Sequence, residues 1–230
     1  SVAFAPDGTR LAIGSHQGDL VVVDGWTGEE KARTRLPEAL TKRVAWSPDG
    51  ATLYAGEQSP DAALHAFDAD TLTARWSFRA ADRVGSTPLP EGEDRYAIYN
   101  LPGIYSLDVM ANGDIVAVAV HGWNDAEGTR LNLSQVIRLT PDGDVRGQWP
   151  ENAESILLMH SMLRTDADGT PVLVTTIGRS ADGPPPTDLP TSGVSLIDLD
   201  AMALKSTARA TPLAPWFKQV SLWHAVDWDP

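Results

Sequence analysis

Two of the five histidines in this 230-residue chain leave apolar runs in the same manner. In "AIGSHQGDL" a short hydrophobic stretch ends at His16, and in "AVAVHGWND" another ends at His121. His160 and His224 instead precede short alternating stretches, "SMLRT" and "AVDWD", and His65 lies inside one. Imidazole is the usual general acid–base near neutral pH and a ligand for Zn, Cu, Fe or Ni. The candidate acid–base or nucleophilic residues are therefore His160, His224 and His121. The candidate metal ligands are His16, His121, His160 and His224. No two of these four have the i, i+2 or i, i+4 spacing of a local metal motif, so any shared centre has to be assembled by the fold.

Other chemistries find less support. "DADGT" (Asp166–Thr170) opens like a calcium loop, but the later ligands of such a loop are missing, and Asp-Gly serves as a turn there. There is no glycine-rich phosphate loop leading into a helix and no G-x-S-x-G nucleophile elbow. Cysteine is absent, which removes disulfides, thiolate metal sites and cysteine nucleophiles. Eighteen Lys+Arg against 31 Asp+Glu give a net charge of −13, a field that repels phosphate backbones and argues against nucleic acid as a partner. No apolar run reaches the length of a membrane span. Nothing in the sequence names a cofactor.

The elements that would position the histidines are set by an internal repeat. "SVAFAPDGTRLAIGS" from Ser1, "RVAWSPDGATLYAGE" from Arg43, "SLDVMANGDIVAVAV" from Ser106 and "SMLRTDADGTPVLVTTI" from Ser161 each read as strand, tight turn, strand. Asp-Gly and Asn-Gly are strong hairpin signals because the turn needs positive φ. Each is followed by a second strand–turn–strand, as in "DLVVVDGWTGEEKART" and "VSLIDLDAMALKSTAR". The result is four units of four short strands, a to d, over approximately 1–36, 42–79, 104–150 and 160–210, with "HAVDWDP" at 224–230 as the start of a fifth. A lone four-stranded unit cannot bury both faces, so such units stack, and radial stacking makes the blades of a β-propeller. The expected fold class is all-β, a propeller of four-stranded antiparallel blades that is part of a larger ring.

The units resemble known propeller families. "VAFAPDGTRLAIGS" and "VAWSPDGATLYAGE" are similar to the a–b hairpins of WD-repeat and YVTN-type blades, although the Gly-His and Trp-Asp pairs of the WD pattern are absent. "ALHAFDADTLTARWSFRAADRVGSTPL" resembles the tryptophan-bearing repeat of pyrroloquinoline-quinone-type propellers, without positions that map onto a quinone pocket. "SLWHAVDWDP" resembles a histidine-bearing segment of arylsulfotransferase-type propellers. That resemblance implies a sulfuryl-accepting role for His224.

Strand direction then sorts the loops. The d–a and b–c connections leave one face, and four long insertions fall there: Ala80–Gly103, Gly122–Ser134, Gly178–Gly193 and Thr211–Trp223. Long loops on a rigid scaffold commonly carry function. Residues just before strand a lie near the axis, so Lys42, Tyr105, His160 and His224 are expected to rim a funnel on that face. Trp123, Trp216 and Trp223 offer aromatic recognition surface there. Trp46, Trp76, Trp149 and Trp228 are expected in the inter-blade core. These features predict a binding module that presents its loop-rich face to a protein or small ligand. The alternative is a propeller enzyme, a transferase or oxidoreductase, with a histidine- or metal-centred axial site.

Overall fold

The computed structural model describes residues 1–36, 40–88, 100–178 and 192–209. Trp216, Trp223, His224, Trp228 and the expected fifth-blade strand lie outside the described residues, as does most of the Pro-rich insertion between the last two b and c strands.

Four antiparallel four-stranded blades are formed. Blade 1 contains β1 (Val2–Phe4), β2 (Arg10–Gly14), β3 (Asp19–Asp24) and β4 (Glu30–Arg35). Blade 2 contains β5 (Leu40–Trp46), β6 (Thr52–Gln58), β7 (Ala63–Asp68) and β8 (Ala74–Arg79). A one-turn helix α1 (Ala81–Val84) leads towards blade 3, which contains β9 (Gly103–Val109), β10 (Ile115–Asn124), β11 (Arg130–Leu139) and β12 (Val145–Glu154). Blade 4 contains β13 (Leu157–Thr165), β14 (Pro171–Gly178), β15 (Ser192–Asp198) and β16 (Ala203–Arg209). Within each blade the strands pair in sequence order. The a–b turn glycines Gly8, Gly50, Gly113 and Gly169 all have φ between 70° and 89°, the conformation that the Asp-Gly and Asn-Gly signals demand.

The inner strands β5, β9 and β13 pack side by side, and β1 packs on β5. Strand b of blades 2 and 3 carries apolar residues on both faces because a blade covers each side. In β10, Ile115, Ala117 and Ala119 join Tyr54 and Leu64 of blade 2, while Val116, Val118 and Val120 join Leu158, Leu173 and Ile197 of blade 4. In β6, Leu53 and Ala55 turn instead to Leu20 and Val22 of blade 1. This is the continuous hydrophobic run of a doubly buried strand rather than the alternation of a half-exposed one.

The expected tryptophans span these seams. Trp46 Nε1 donates to the Ala3 carbonyl at 2.9 Å, and Trp76 Nε1 donates to the Pro141 carbonyl at 2.9 Å. Trp149 packs against the core between blades 3 and 4. An ion network also crosses that last seam. Arg138 on β11 donates to Asp114 at 2.7 Å, to Asp200 at 3.0 Å and to the Leu199 carbonyl at 2.5 Å, with both Arg138 and Asp114 nearly sequestered from solvent.

One local expectation needs correcting. The stretch 122–134 is not a looped insertion. β10 and β11 each run for 10 residues and stay paired out to Asn124 and Arg130, so the added residues lengthen the hairpin. "RLNLSQVIRL" carries the alternation that supports this pairing.

Candidate functional site

The three inner strands of blades 2 to 4 share an irregularity. β5 pairs regularly with β6 up to Arg43 opposite Gly56, then shifts by one residue at Thr41 opposite Glu57, leaving Lys42 as the extra residue. β9 does the same against β10 between Ser106 and Ile104, leaving Tyr105. β13 gains its extra residue against β14 in the Met159–His160 pair, where the His160 amide donates to the Thr176 hydroxyl at 3.2 Å. A bulge bends the strand and re-aims a side chain, and bulges recur beside functional sites. In the sequence Lys42, Tyr105 and His160 fall just before strand a because each immediately precedes the start of a repeat, at Arg43, Ser106 and Ser161. That position is a bulge inside a longer strand, not the strand's end.

Two of these residues meet. The Lys42 ammonium lies 4.4 Å from the centre of the Tyr105 ring, a cation–π contact across the seam between blades 2 and 3. Gln58, at the end of β6 and 1 % exposed, holds the pair. Its Oε1 accepts from Lys42 at 3.3 Å, and its Nε2 donates to the Tyr105 hydroxyl and to the Leu101 carbonyl, each at 3.2 Å. The Gln58 backbone also pairs with Gly103, the one register contact that joins blades 2 and 3 into a single hydrogen-bonded sheet.

A second layer of charge follows along the inner strands. Arg43 donates from its guanidinium to the Lys42 carbonyl at 2.9 Å and is electrostatically coupled to Tyr105 and Asp108. Burial pushes both Lys42 and Arg43 below their ordinary pKa values, and for Lys42 the neighbouring Arg43 charge adds to the effect. Asp108 on β9 lies within electrostatic reach of Arg43 and of Arg164 on β13. Burial nevertheless raises its pKa to about 6, outweighing the two cations and a hydrogen bond from the Leu163 backbone. The inner strands of this acidic protein thus hold partly desolvated cations.

Sequence reasoning did not single out Gln58, Arg43, Asp108 or Arg164. The signal for two of them was present. "TKRV" places two consecutive cations in an inner strand, so both cannot follow the alternation, and "SLDV" sets a carboxylate inside an otherwise apolar one.

The remaining candidates lie elsewhere. His121 is buried in the long β10–β11 hairpin. Its Nδ1 faces the Val84 carbonyl at 3.0 Å, its Nε2 faces the Thr87 hydroxyl at 2.8 Å, and its ring stacks on Trp123 at 4.5 Å. It anchors the connection after α1, and burial lowers its pKa, which favours neutral imidazole. His16 sits exposed in the b–c turn of blade 1. His65 pairs with the buried Glu57 at 3.0 Å. In the "DADGT" turn, Asp166 and Asp168 are both taken by Lys205, at 2.6 and 2.7 Å. Among the described residues no three His, Asp or Glu side chains gather to hold a metal ion. No helix among them is long and apolar enough to cross a membrane.

These features define a class of fold. The chain superimposes on part of one chain from the crystal structure of the mitotic checkpoint complex, with a TM-score of 0.59 and 14% identity, covering 91% of this chain and 50% of that one. A europium-containing methanol dehydrogenase matches with a TM-score of 0.57 and 14% identity, covering 91% of this chain and 41% of the enzyme. Together with the blades themselves, these matches make the fold a β-propeller. The chain spans half or less of the length of these structures. No family model matches it, and no curated protein does.

Proposed function

We propose that this propeller is a binding module whose ligand is received at the bulged mouth of its inner strands, on the side of the d–a and b–c connections. The observation that carries this reading is the coincidence of three bulges with Lys42, Tyr105 and His160. Each bulge costs a ladder hydrogen bond, and the same irregularity stands in three successive blades. In two of them the re-aimed side chains meet across a seam and are held by one buried glutamine. A scaffold concerned with stability alone would do better with an uninterrupted strand and an apolar residue.

A protein or a small molecule can supply the group that docks there. The structural match to a chain of a multiprotein checkpoint complex supports a protein partner. The match to a europium-containing methanol dehydrogenase supports the enzyme reading to the same degree. The histidine-centred enzyme reading draws on His160 at the third bulge. Fold likeness at 14% identity does not choose between them.

The test is a fragment screen by ligand-observed NMR on the whole chain, repeated with Lys42→Met and Tyr105→Leu. Hits lost in both variants and kept in a Lys205→Met control support the mouth as the binding site. Hits indifferent to both substitutions overturn it. Elemental analysis and a His160→Ala variant address the enzyme reading in parallel: a stoichiometric metal or a His160-dependent turnover displaces the pure binding module.

A further inference from the structure

We infer that the mouth formed by Lys42, Arg43 and Tyr105 is a seat for a compact, singly charged carboxylate-bearing small molecule. This rests on the binding reading above and names the chemistry of its ligand.

Both cations lack a close counter-charge among the described residues. Lys42 has three N–H donors. One is directed at the neutral Gln58 carboxamide and the ammonium rests on the Tyr105 ring; among the described residues no carboxylate pairs with it. Arg43, its neighbour in sequence, directs one guanidinium nitrogen at the Lys42 carbonyl. Asp108 acts on Arg43 through space without forming an ion pair within 4 Å. Arg138, Lys205, Arg75, Arg79 and Arg33 all sit on carboxylates, whereas Lys42 and Arg43 are adjacent cations that both lack one within 4 Å among the described residues. The chain has 31 acidic residues against 18 basic ones, so a pair of adjacent, partly buried cations served by a carboxamide and a phenol ring stands out chemically.

The bulge bears on where the two cations lie. In a regular strand, residues 42 and 43 would project to opposite faces. The extra residue in β5 brings both within interaction range of Tyr105, the first on its ring and the second electrostatically. Arg130, at the start of β11, is a third cation coupled to Tyr105.

Two half-buried like charges side by side raise the free energy of the empty site through desolvation and mutual repulsion. An arriving oxyanion relieves both and accepts charge-assisted hydrogen bonds from the remaining donors. The protein's net charge of −13 selects against polyanions, whose long-range repulsion grows with every added charge. A monoanion suffers that repulsion least.

The probes are benzoate and its uncharged counterpart benzamide. Each is titrated into the whole chain and followed by two-dimensional NMR at the backbone amides of Lys42, Arg43 and Tyr105. Benzoate is expected to shift these signals saturably and to bind roughly tenfold or more tightly than benzamide; Lys42→Met and Arg43→Gln are each expected to weaken it by a similar factor. Unchanged spectra outside the mouth certify that the variants fold, and Lys205→Met serves as the surface-charge control. Equal binding of benzoate and benzamide at the mouth, or full benzoate affinity in both variants, overturns the carboxylate assignment while leaving the mouth as a binding site. If neither probe shifts the mouth signals, the carboxylate assignment fails; if the fragment screen is silent there as well, the binding reading fails with it.

Discussion

The Lys42 ammonium rests 4.4 Å from the centre of the Tyr105 ring, and each of these residues is the extra residue of its own strand's bulge. Neither contact nor bulge requires the other. A cation and an aromatic ring can meet across two regular strands, and a bulge can carry any side chain. Their coincidence in adjacent blades, with a third bulge at Met159–His160, ties the chemistry of the mouth to an irregularity of the backbone.

Asp108 makes folding stability depend on pH. Its pKa in the folded protein is raised to about 6 from 3.8, so between these values the folded state binds more protons than the unfolded state. The contribution is fully present below about pH 4 and is lost as pH rises through about 6. Asp108→Asn keeps an acceptor for the Leu163 amide and removes the charge. It is expected to stabilise the protein at pH 7.5 by about 1–3 kcal/mol and to change stability little at pH 4. Urea denaturation at the two pH values checks this; equal effects at both would refute the burial argument.

His121 acts in the opposite sense. Burial lowers its pKa, so its neutral form supports the fold above the ordinary histidine range, and that support is lost as pH falls through the depressed value. Acidification is expected to loosen the connection after α1 before the blades unfold. Hydrogen exchange at the Val84 and Gly85 amides, followed from pH 7 downwards, should accelerate in the native protein. With His121→Gln the acid-induced step should vanish.

Gly56 stands where strand b of blade 2 meets strand a of blade 3. A Cβ added there would lie 2.6 Å from both Cβ and Cγ2 of Ile104, which is wholly buried and cannot retreat. Gly14 meets Thr41 of the next blade in the same way, at 2.4 Å. Gly56→Ala is therefore expected to cost about 1–3 kcal/mol, despite the usual gain from replacing glycine in a strand. Thermal or urea unfolding measures it, and a neutral effect would mean that the seam is looser than its packing.

Arg138 joins blades 3 and 4 through Asp114, Asp200 and the Leu199 carbonyl. Arg138→Leu leaves Asp114 buried, with the half-exposed Arg146 as its remaining cation. The expected cost is about 3–5 kcal/mol, because removing one partner strands the other charge. The double variant Arg138→Leu, Asp114→Leu should recover much of the loss. If it recovers none, the arginine acts through packing alone.

The blades were legible in the sequence because their turns are chemical necessities. Asp7-Gly8, Asp49-Gly50, Asn112-Gly113 and Asp168-Gly169 mark hairpins whatever surrounds them. The mouth residues Lys42, Tyr105 and His160 were legible by position: each stands immediately ahead of a repeat, where the chain enters the innermost strand. Gln58 was not legible, since a glutamine at a strand end is ordinary until a neighbouring blade buries it. Arg43 and Asp108 leave a trace in "TKRV" and "SLDV", but only tertiary context decides whether an inner-strand charge meets water or protein. His121 shared its strand-exit pattern with His16, yet one is locked beneath α1 and the other is exposed. Local pattern carries the strand exit, while the segment that folds back over it comes from far along the chain.

The backbone pairing of Gln58 with Gly103 has a mechanical consequence. Blades 3 and 4 meet through side chains, and blades 1 and 2 add a main-chain bond from Thr41 N to the Ser15 carbonyl at 3.1 Å. Blades 2 and 3 are stitched by main-chain hydrogen bonds, with Ser59 N donating to the Pro102 carbonyl at 3.1 Å beside the bridge. The stitch lies directly behind Lys42 and Tyr105. A ligand seated at the proposed mouth would press on a seam that is hydrogen-bonded as one continuous sheet. Such a seam yields less than side-chain packing does, so the site would keep its shape when it is filled.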